Sequence, residues 1–315
     1  MSTYSISRVS QANVEPMSAT RRSFLKAGSV AAAGAALAPL STSAGTPRPN
    51  AGRRLETSMR LSLAAYSMRD ALTAGDMDLF AFIDWCAELG LPGTELTSYY
   101  FEEDFEDAYL HALKRRAFSH GLAVSGTAVR NDFCRPPGPE RDEDIEHVRQ
   151  WIDHAAEFYA PHIRIFAGDL PDGVDTATGI GWVADAIVEV LEHAAARGVV
   201  LGLENHGGIT ARAADHLAIV EAVGDHPWFG VNLDTGNYRT DAYDELAMAA
   251  PYAVNVQVKH AVHRNDGSTA PTDMERIRDL LDAAGYSGWV VLEYEGENPR
   301  ERIPEYLETM RRVFA

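Results

Sequence analysis

Glu204, Asp234, Gln257 and Glu293 offer three carboxylates and one amide oxygen, and each stands at or near the end of a short run of aliphatic residues. Carboxylates gathered together repel one another and resist burial, so such a set needs either a cation or a basic partner for each member. An all-oxygen donor set suits one hard divalent ion, Mn²⁺ first, with Mg²⁺, Co²⁺ or Zn²⁺ as alternatives. An ion of this kind, held on a carbonyl and its neighbouring hydroxyl, acidifies the C–H between them, and a nearby carboxylate can take that proton. The competing reading pairs the carboxylates separately with Arg130, Arg164 and Lys259. His260 competes with Gln257 as the third donor, since imidazole is a common ligand.

Placing these groups together requires a particular architecture. From residue 61 onward, short apolar runs alternate with longer amphipathic ones. Strands are predicted at 61–66, 94–97, 123–129, 162–167, 199–206, 229–234, 253–259 and 289–293. Helices are predicted at 78–89, 104–119, 142–159, 181–197, 211–223, 242–249, 273–284 and 302–313. Gly90, Gly121, Gly198 and Gly285 stand just past helix ends, where a left-handed residue is wanted. Eight strand–helix repeats over about 250 residues are the signature of a (β/α)8 barrel. An open doubly wound sheet is the weaker alternative, because no glycine-rich dinucleotide fingerprint follows the first strand.

Strand alternation then sorts the chemical residues. If Leu201, Leu203, Val231, Leu233, Val256, Val258, Val290 and Leu292 face the helices, then Glu204, His206, Asp234, Gln257, Lys259 and Glu293 face the barrel interior. His260 falls out of phase, which favours Gln257. All six inward groups lie toward the C-terminal strand ends, where barrels of this type carry their active sites. His206 is a candidate acid/base group, Arg164 should orient substrate oxygens, and Lys259 could polarise a carbonyl or pair with Asp234. Tyr66, Glu95 and Asn131 are expected to face substrate from the first three strands. Trp182, Trp228 and Trp289 are expected in packing.

The chain of 315 residues carries 46 acidic against 28 basic residues, a formal charge of −18, which argues against nucleic-acid binding. Its two cysteines, Cys86 and Cys134, give no cysteine-based zinc site. Residues 1–44 read as a targeting segment. Thr20-Arg21-Arg22-Ser23-Phe24-Leu25-Lys26 precedes an alanine-rich run to Leu40, and Thr42-Ser43-Ala44 supplies small residues for cleavage. Export by the twin-arginine route, to the periplasm, is the expectation, with no stable membrane insertion after removal of the segment. Residues 45–58 read as a linker and 59–315 as the barrel.

From about Leu61 to its end the chain resembles the xylose isomerase-like TIM-barrel superfamily of sugar isomerases and epimerases. The resemblance rests on Leu203-Glu204-Asn205-His206-Gly207-Gly208, Asn232-Leu233-Asp234-Thr235-Gly236-Asn237, Asn255-Val256-Gln257-Val258-Lys259 and Val291-Leu292-Glu293. It implies that Glu204, Asp234, Gln257 and Glu293 hold one metal and that Glu204 and Glu293 flank the substrate as acid/base groups. Asn205 and Asn237 are implied at the substrate, Asn237 standing where relatives often have a histidine. The implied function is a divalent-metal-dependent isomerase or epimerase acting through an enediolate on an unphosphorylated sugar or keto-sugar. A lyase or hydratase on keto-sugars or 3-keto-glycosides is the runner-up, and a non-catalytic exported sugar-binding barrel the second alternative. The partner is a small carbohydrate, with a homo-oligomer open. An apurinic endonuclease would need a larger His/Glu cluster and a basic face.

Overall fold

The computed structural model describes residues 59–240 and 242–315. The expected targeting segment and the whole of the expected linker lie outside these residues. Eight parallel strands close into a barrel in the order β1-β10-β7-β6-β5-β4-β3-β2. They are β1 (Arg60–Ala64), β2 (Gly93–Thr97), β3 (Ala123–Ala128), β4 (His162–Ile165), β5 (Val200–Glu204), β6 (Phe229–Asp234), β7 (Ala253–Val258) and β10 (Trp289–Leu292). All eight coincide with predicted strands, so the doubly wound alternative is excluded.

The helices around the barrel are α1 (Arg69–Ala74), α2 (Leu79–Glu88), α3 (Asp107–Ser119), α4 (Pro139–Glu157), α5 (Thr176–Arg197), α6 (Ala213–Val223), α7 (Ala242–Ala249), α8 (Met274–Ala284) and α9 (Pro299–Phe314). Asp78, Asp175 and Asp273 cap α2, α5 and α8 by accepting backbone N–H groups three residues on. Gly90, Gly121, Gly198 and Gly285 all adopt positive φ, as their positions past helix ends predict. Three helices, α4, α5 and α9, begin earlier than the apolar pattern suggests. Pro139 opens α4, where a missing N–H costs nothing. Helix α5 runs through Gly179 because Leu170 and Ile209 pack where its Cβ would stand. Two elements were not predicted: the short α1, and a hairpin of β8 (Ala261–His263) and β9 (Thr269–Pro271) beyond β7. The hairpin turns at Gly267, with φ of 81°, and Asp266 accepts from the Ser268 backbone.

Leu201, Leu203, Val231, Val256, Val258, Val290 and Leu292 are buried between strand and helix layers, as the alternation requires. The barrel interior is polar. Ser62 and Ser125 share a hydrogen bond of 2.7 Å low in the barrel. Above them Glu95, Asn232, Asn255 and Gln257 close a circuit. Gln257 Nε2 donates to Glu95 Oε1 (2.8 Å) and Asn232 Nδ2 to Gln257 Oε1 (2.7 Å). Asn255 Nδ2 donates to Asn232 Oδ1 (2.8 Å) and to Glu95 Oε2 (3.3 Å). The circuit answers the requirement that buried polar groups find partners.

His162 points into this interior between Gly126 and Gly202, whose absent Cβ atoms would lie 2.9 and 2.3 Å from its ring nitrogens. Burial drives its pKa from 6.5 down to about 3, and that of fully buried His216, which meets the Tyr238 hydroxyl, to about 4. Both rings are therefore neutral in the folded chain at pH values where the unfolded chain protonates them. From these two rings alone, stability is expected to fall as pH drops from about 6.5 toward 4, by a few kcal/mol per histidine on an order-of-magnitude basis, against the opposite slope of the buried carboxyls whose pKa is raised. Calorimetric Tm values across that range check this. A Tm slope over that range left unchanged by His216→Phe would refute it.

Candidate active site

The carboxylates meet where the strand ends open into a cavity of about 380 Å³ lined by Tyr66, Glu204, His206, Glu293 and Glu295 among others. Arg164 Nε lies 2.8 Å from Glu204 Oε2, an ion pair in which the N–H is not aimed at the oxygen. Asn237 Nδ2 donates to Glu204 Oε1 at 2.9 Å. Lys259 Nζ is 2.6 Å from Glu293 Oε1, 2.8 Å from Glu295 Oε1 and 3.4 Å from Asp234 Oδ2.

Three buried carboxylates, with the exposed Glu295 beside them, thus face two cations, so the buried groups alone carry one more acid than base. Their proton affinities record the strain. Burial raises Glu204 well above its ordinary value, with Asp234 and Glu293 reinforcing the rise against Arg164. Burial likewise lifts Asp234 to about 7 against the pull of Lys259. Glu293 goes the other way: burial works to raise it, but the charge and hydrogen bond of Lys259, with Arg164, hold it below the ordinary range. Asp234 Oδ2 is fully buried and receives no hydrogen bond. One buried carboxylate in excess of its cations and an unbonded carboxylate oxygen on Asp234 are compatible with a cation at this place.

The sequence-expected residues divide into groups. Glu204, Glu293, His206, Arg164, Tyr66 and Asn131 line the cavity. Lys259 and Asp234 lie buried behind them. His206 lays its ring on Phe166, centroids 4.1 Å apart, and shows its other side to the cavity. Burial first, then Arg164 and Lys259, push its pKa down, which leaves it neutral at physiological pH. Gln257 stands in the amide circuit. Its oxygen accepts from Asn232 with one lone pair and keeps the other. His260 turns away, its ring 5.2 Å from that of Tyr294.

Two expected substrate contacts, Glu95 and Asn205, need correction, and two others that do line the cavity, Asn131 and Arg164, also carry structural bonds. Glu95 is fully buried beneath Gln257, and burial raises its pKa to about 8, so it belongs to the interior circuit. Asn205 is fully buried and bridges the Asp234 backbone at both N–H and C=O (2.9 and 2.8 Å). Asn131 does the same to Phe166 (2.9 and 2.7 Å), although its side chain also borders the cavity. These two asparagines extend the β3–β4 and β5–β6 pairings beyond the strand ends and hold the rim in place. Arg164 is committed to the protein through Glu204, the Val129 carbonyl (2.7 Å) and the Tyr99 hydroxyl (3.1 Å).

The structure adds Tyr99, Arg130, Asp132, Phe166, Asp169 and Glu295 to the cavity wall. Glu295 and Phe166 continue the inward alternation of Glu293 and Arg164 two residues on, a signal present in the sequence. Asp132 and Asp169 come from loops that no periodicity describes.

Residues 83–313 match an established family model, the xylose isomerase-like TIM barrel. The chain belongs to this family. Its relatives include a Mus musculus protein provisionally named a hydroxypyruvate isomerase, 29% identical over 184 residues. That match covers 53% of this chain and 64% of the mouse protein, less than two thirds of its length. A Streptomyces coelicolor protein with the same provisional name is 27% identical over 220 residues, 62% of this chain and 77% of that one. Among solved structures, D-psicose 3-epimerase from Clostridium cellulolyticum H10 superposes with a TM-score of 0.67 at 16% identity, over 81% of this chain and 99% of that one. At that identity the likeness shows the family fold alone.

Proposed function

We propose that this barrel is a divalent-metal-dependent isomerase or epimerase acting on an unphosphorylated sugar or keto-sugar. The observation that carries the reading is the cluster of Glu204, Asp234 and Glu293, three buried carboxylates that share only Arg164 and Lys259 at the base of a polar cavity. Glu204, Asp234 and Glu293 would hold the ion, with Gln257 contributing through the free lone pair of its amide oxygen. Asn232 and Glu95 fix the orientation of that amide, as groups behind a ligand commonly do. When bound, the ion polarises the carbonyl and lowers the barrier to removing the adjacent proton.

The chain's own groups would do the rest. Glu293, held ionised by Lys259, takes the proton, and Glu204 returns one from its side of the cavity. His206, neutral and braced on Phe166, hydrogen-bonds a substrate hydroxyl. The cavity wall favours a neutral polyol. Asp132, Asp169, Glu204, Glu293 and Glu295 line it with Arg130 and Arg164, and Arg164 is already engaged, as are Lys259 and Arg135 behind the wall. A phosphorylated sugar would meet this acidic wall at a cost.

Metal content of the purified protein tests the site, with Glu204→Gln and Asp234→Asn each expected to lower it markedly. Wild-type metal content in both variants would sink the assignment. Solvent deuterium incorporation into a panel of free ketoses and keto-glycosides tests the chemistry. Metal-loaded protein that exchanges no C–H on any of them would refute the enediolate reading.

A further inference from the structure

The end of the barrel opposite the carboxylates carries a second cavity, of about 590 Å³. It lies at the N-terminal strand ends, among the first residues of β1, β3 and β10 and the turns that end α3 and α4. Its walls are apolar, with Leu122, Val124, Phe158 and Trp289 among them, and its rim carries Arg60, His111, Lys114 and Arg115, with no acidic residue in the lining. Two aromatic side chains stand out beside it: Phe118 is 82% exposed and Tyr159 71% exposed.

Tyr159 is the informative one. It follows the end of α4 with φ of 64°, a left-handed position that the chain gives to glycine after α2, α3, α5 and α8. A side chain with a Cβ is disfavoured there. Its ring lies under the Lys114 ammonium, 3.6 Å from the centroid. Lys114 also donates to the Glu157 carbonyl, and His111 contacts the Glu157 carboxylate, the acidic group beside this rim. Arg60 lies over Trp289, and Arg115 has no salt bridge among the described residues. The cations are conspicuous in a chain of formal charge −18. The polypeptide also enters β1 at this end, and Arg48, Arg53 and Arg54 precede it in the sequence.

We propose that this end of the barrel docks on an anionic phospholipid surface, with Phe118 and Tyr159 entering the headgroup layer and Arg60, Lys114 and Arg115 meeting lipid phosphates. Exposed aromatic rings flanked by Lys and Arg are the features that hold proteins at such interfaces. A second copy of the chain fits less well, since a two-fold contact would set these same cations against each other. Docking here leaves the mouth of the carboxylate cavity facing solution, away from the membrane.

The full-length chain carrying an environment-sensitive dye on Ser119→Cys, beside Phe118, tests this, with the same dye on Ser268→Cys in the β8–β9 hairpin as the reference. Cys86 and Cys134 are buried and should escape labelling. Vesicles of phosphatidylglycerol mixed with phosphatidylcholine should shift the emission at position 119 to the blue. Pure phosphatidylcholine should not, and position 268 should respond to neither. Each exposed cation near an anionic surface is worth roughly fivefold in affinity, so Arg60→Gln with Arg115→Gln should raise the lipid needed by roughly twentyfold or more. Tyr159→Gly should weaken the response while leaving Tm unchanged or higher, because the backbone relaxes. Co-sedimentation with anionic vesicles without a shift at 119 would overturn the proposal. So would a shift that grows with protein concentration in the absence of lipid, which would assign the face to a second copy.

Discussion

Replacing Lys259 with methionine is expected to destabilise the metal-free protein by about 3–5 kcal/mol, the usual cost of leaving buried charge without its partner. Lys259 answers Asp234, Glu293 and Glu295 together, and it is itself buried. Without it, the cluster keeps Arg164 as its one close cation. The same variant should bind Mn²⁺ more tightly than the wild type and gain more Tm from it, since a dication restores the missing charge. Denaturant titrations with and without Mn²⁺ measure both effects. A Lys259→Met protein as stable as the wild type without metal would show that the carboxylates are protonated rather than held by Lys259. A Tm gain from Mn²⁺ no larger than in the wild type would remove the case for a cation among them.

Glu293→Gln is expected to lower proton exchange on a competent substrate by about 10²–10⁴-fold, the ordinary contribution of a positioned acid or base. Glu204→Gln, assayed with metal restored to saturation, should lose a similar factor in product formation. The two variants should differ in which half-reaction fails. With Glu293 as the group that takes the proton, Glu293→Gln should block wash-in of deuterium at the first carbon. Glu204→Gln should permit that exchange while blocking product formation. Tyr66→Phe, at the edge of the same cavity, serves as a control and should change rates far less. Equal loss of both steps in both variants would mean that one carboxylate handles both transfers or that both act only in holding the ion.

Much of this architecture is legible in the residues. Alternation of aliphatic and polar positions along β5, β6, β7 and β10 separates Leu201 and Leu203 from Glu204, Val231 and Leu233 from Asp234, Val256 and Val258 from Gln257, and Leu292 from Glu293. It also removes His260. That works because side chains alternate with a period of two and one face of each strand must meet the helices. The same rule, carried two residues past the strand ends, would have found Glu295 and Phe166.

The sequence by itself determined the strand–helix repeat, the barrel, the inward phase of the four oxygen donors and the family. These follow from local periodicity, capping residues and short motifs, each confined to a few consecutive positions. Only the tertiary structure decided how the polar groups are shared out. Arg164 and Lys259 neutralise carboxylates rather than wait for substrate, Asn131 and Asn205 bind neighbouring backbone, and Glu95 supports Gln257 from below. Those outcomes depend on contacts between strands distant in the chain, such as Glu95 with Gln257 across 162 residues. A buried polar group takes whichever partner the closed barrel brings within reach, and no spacing in one segment encodes which partner that is.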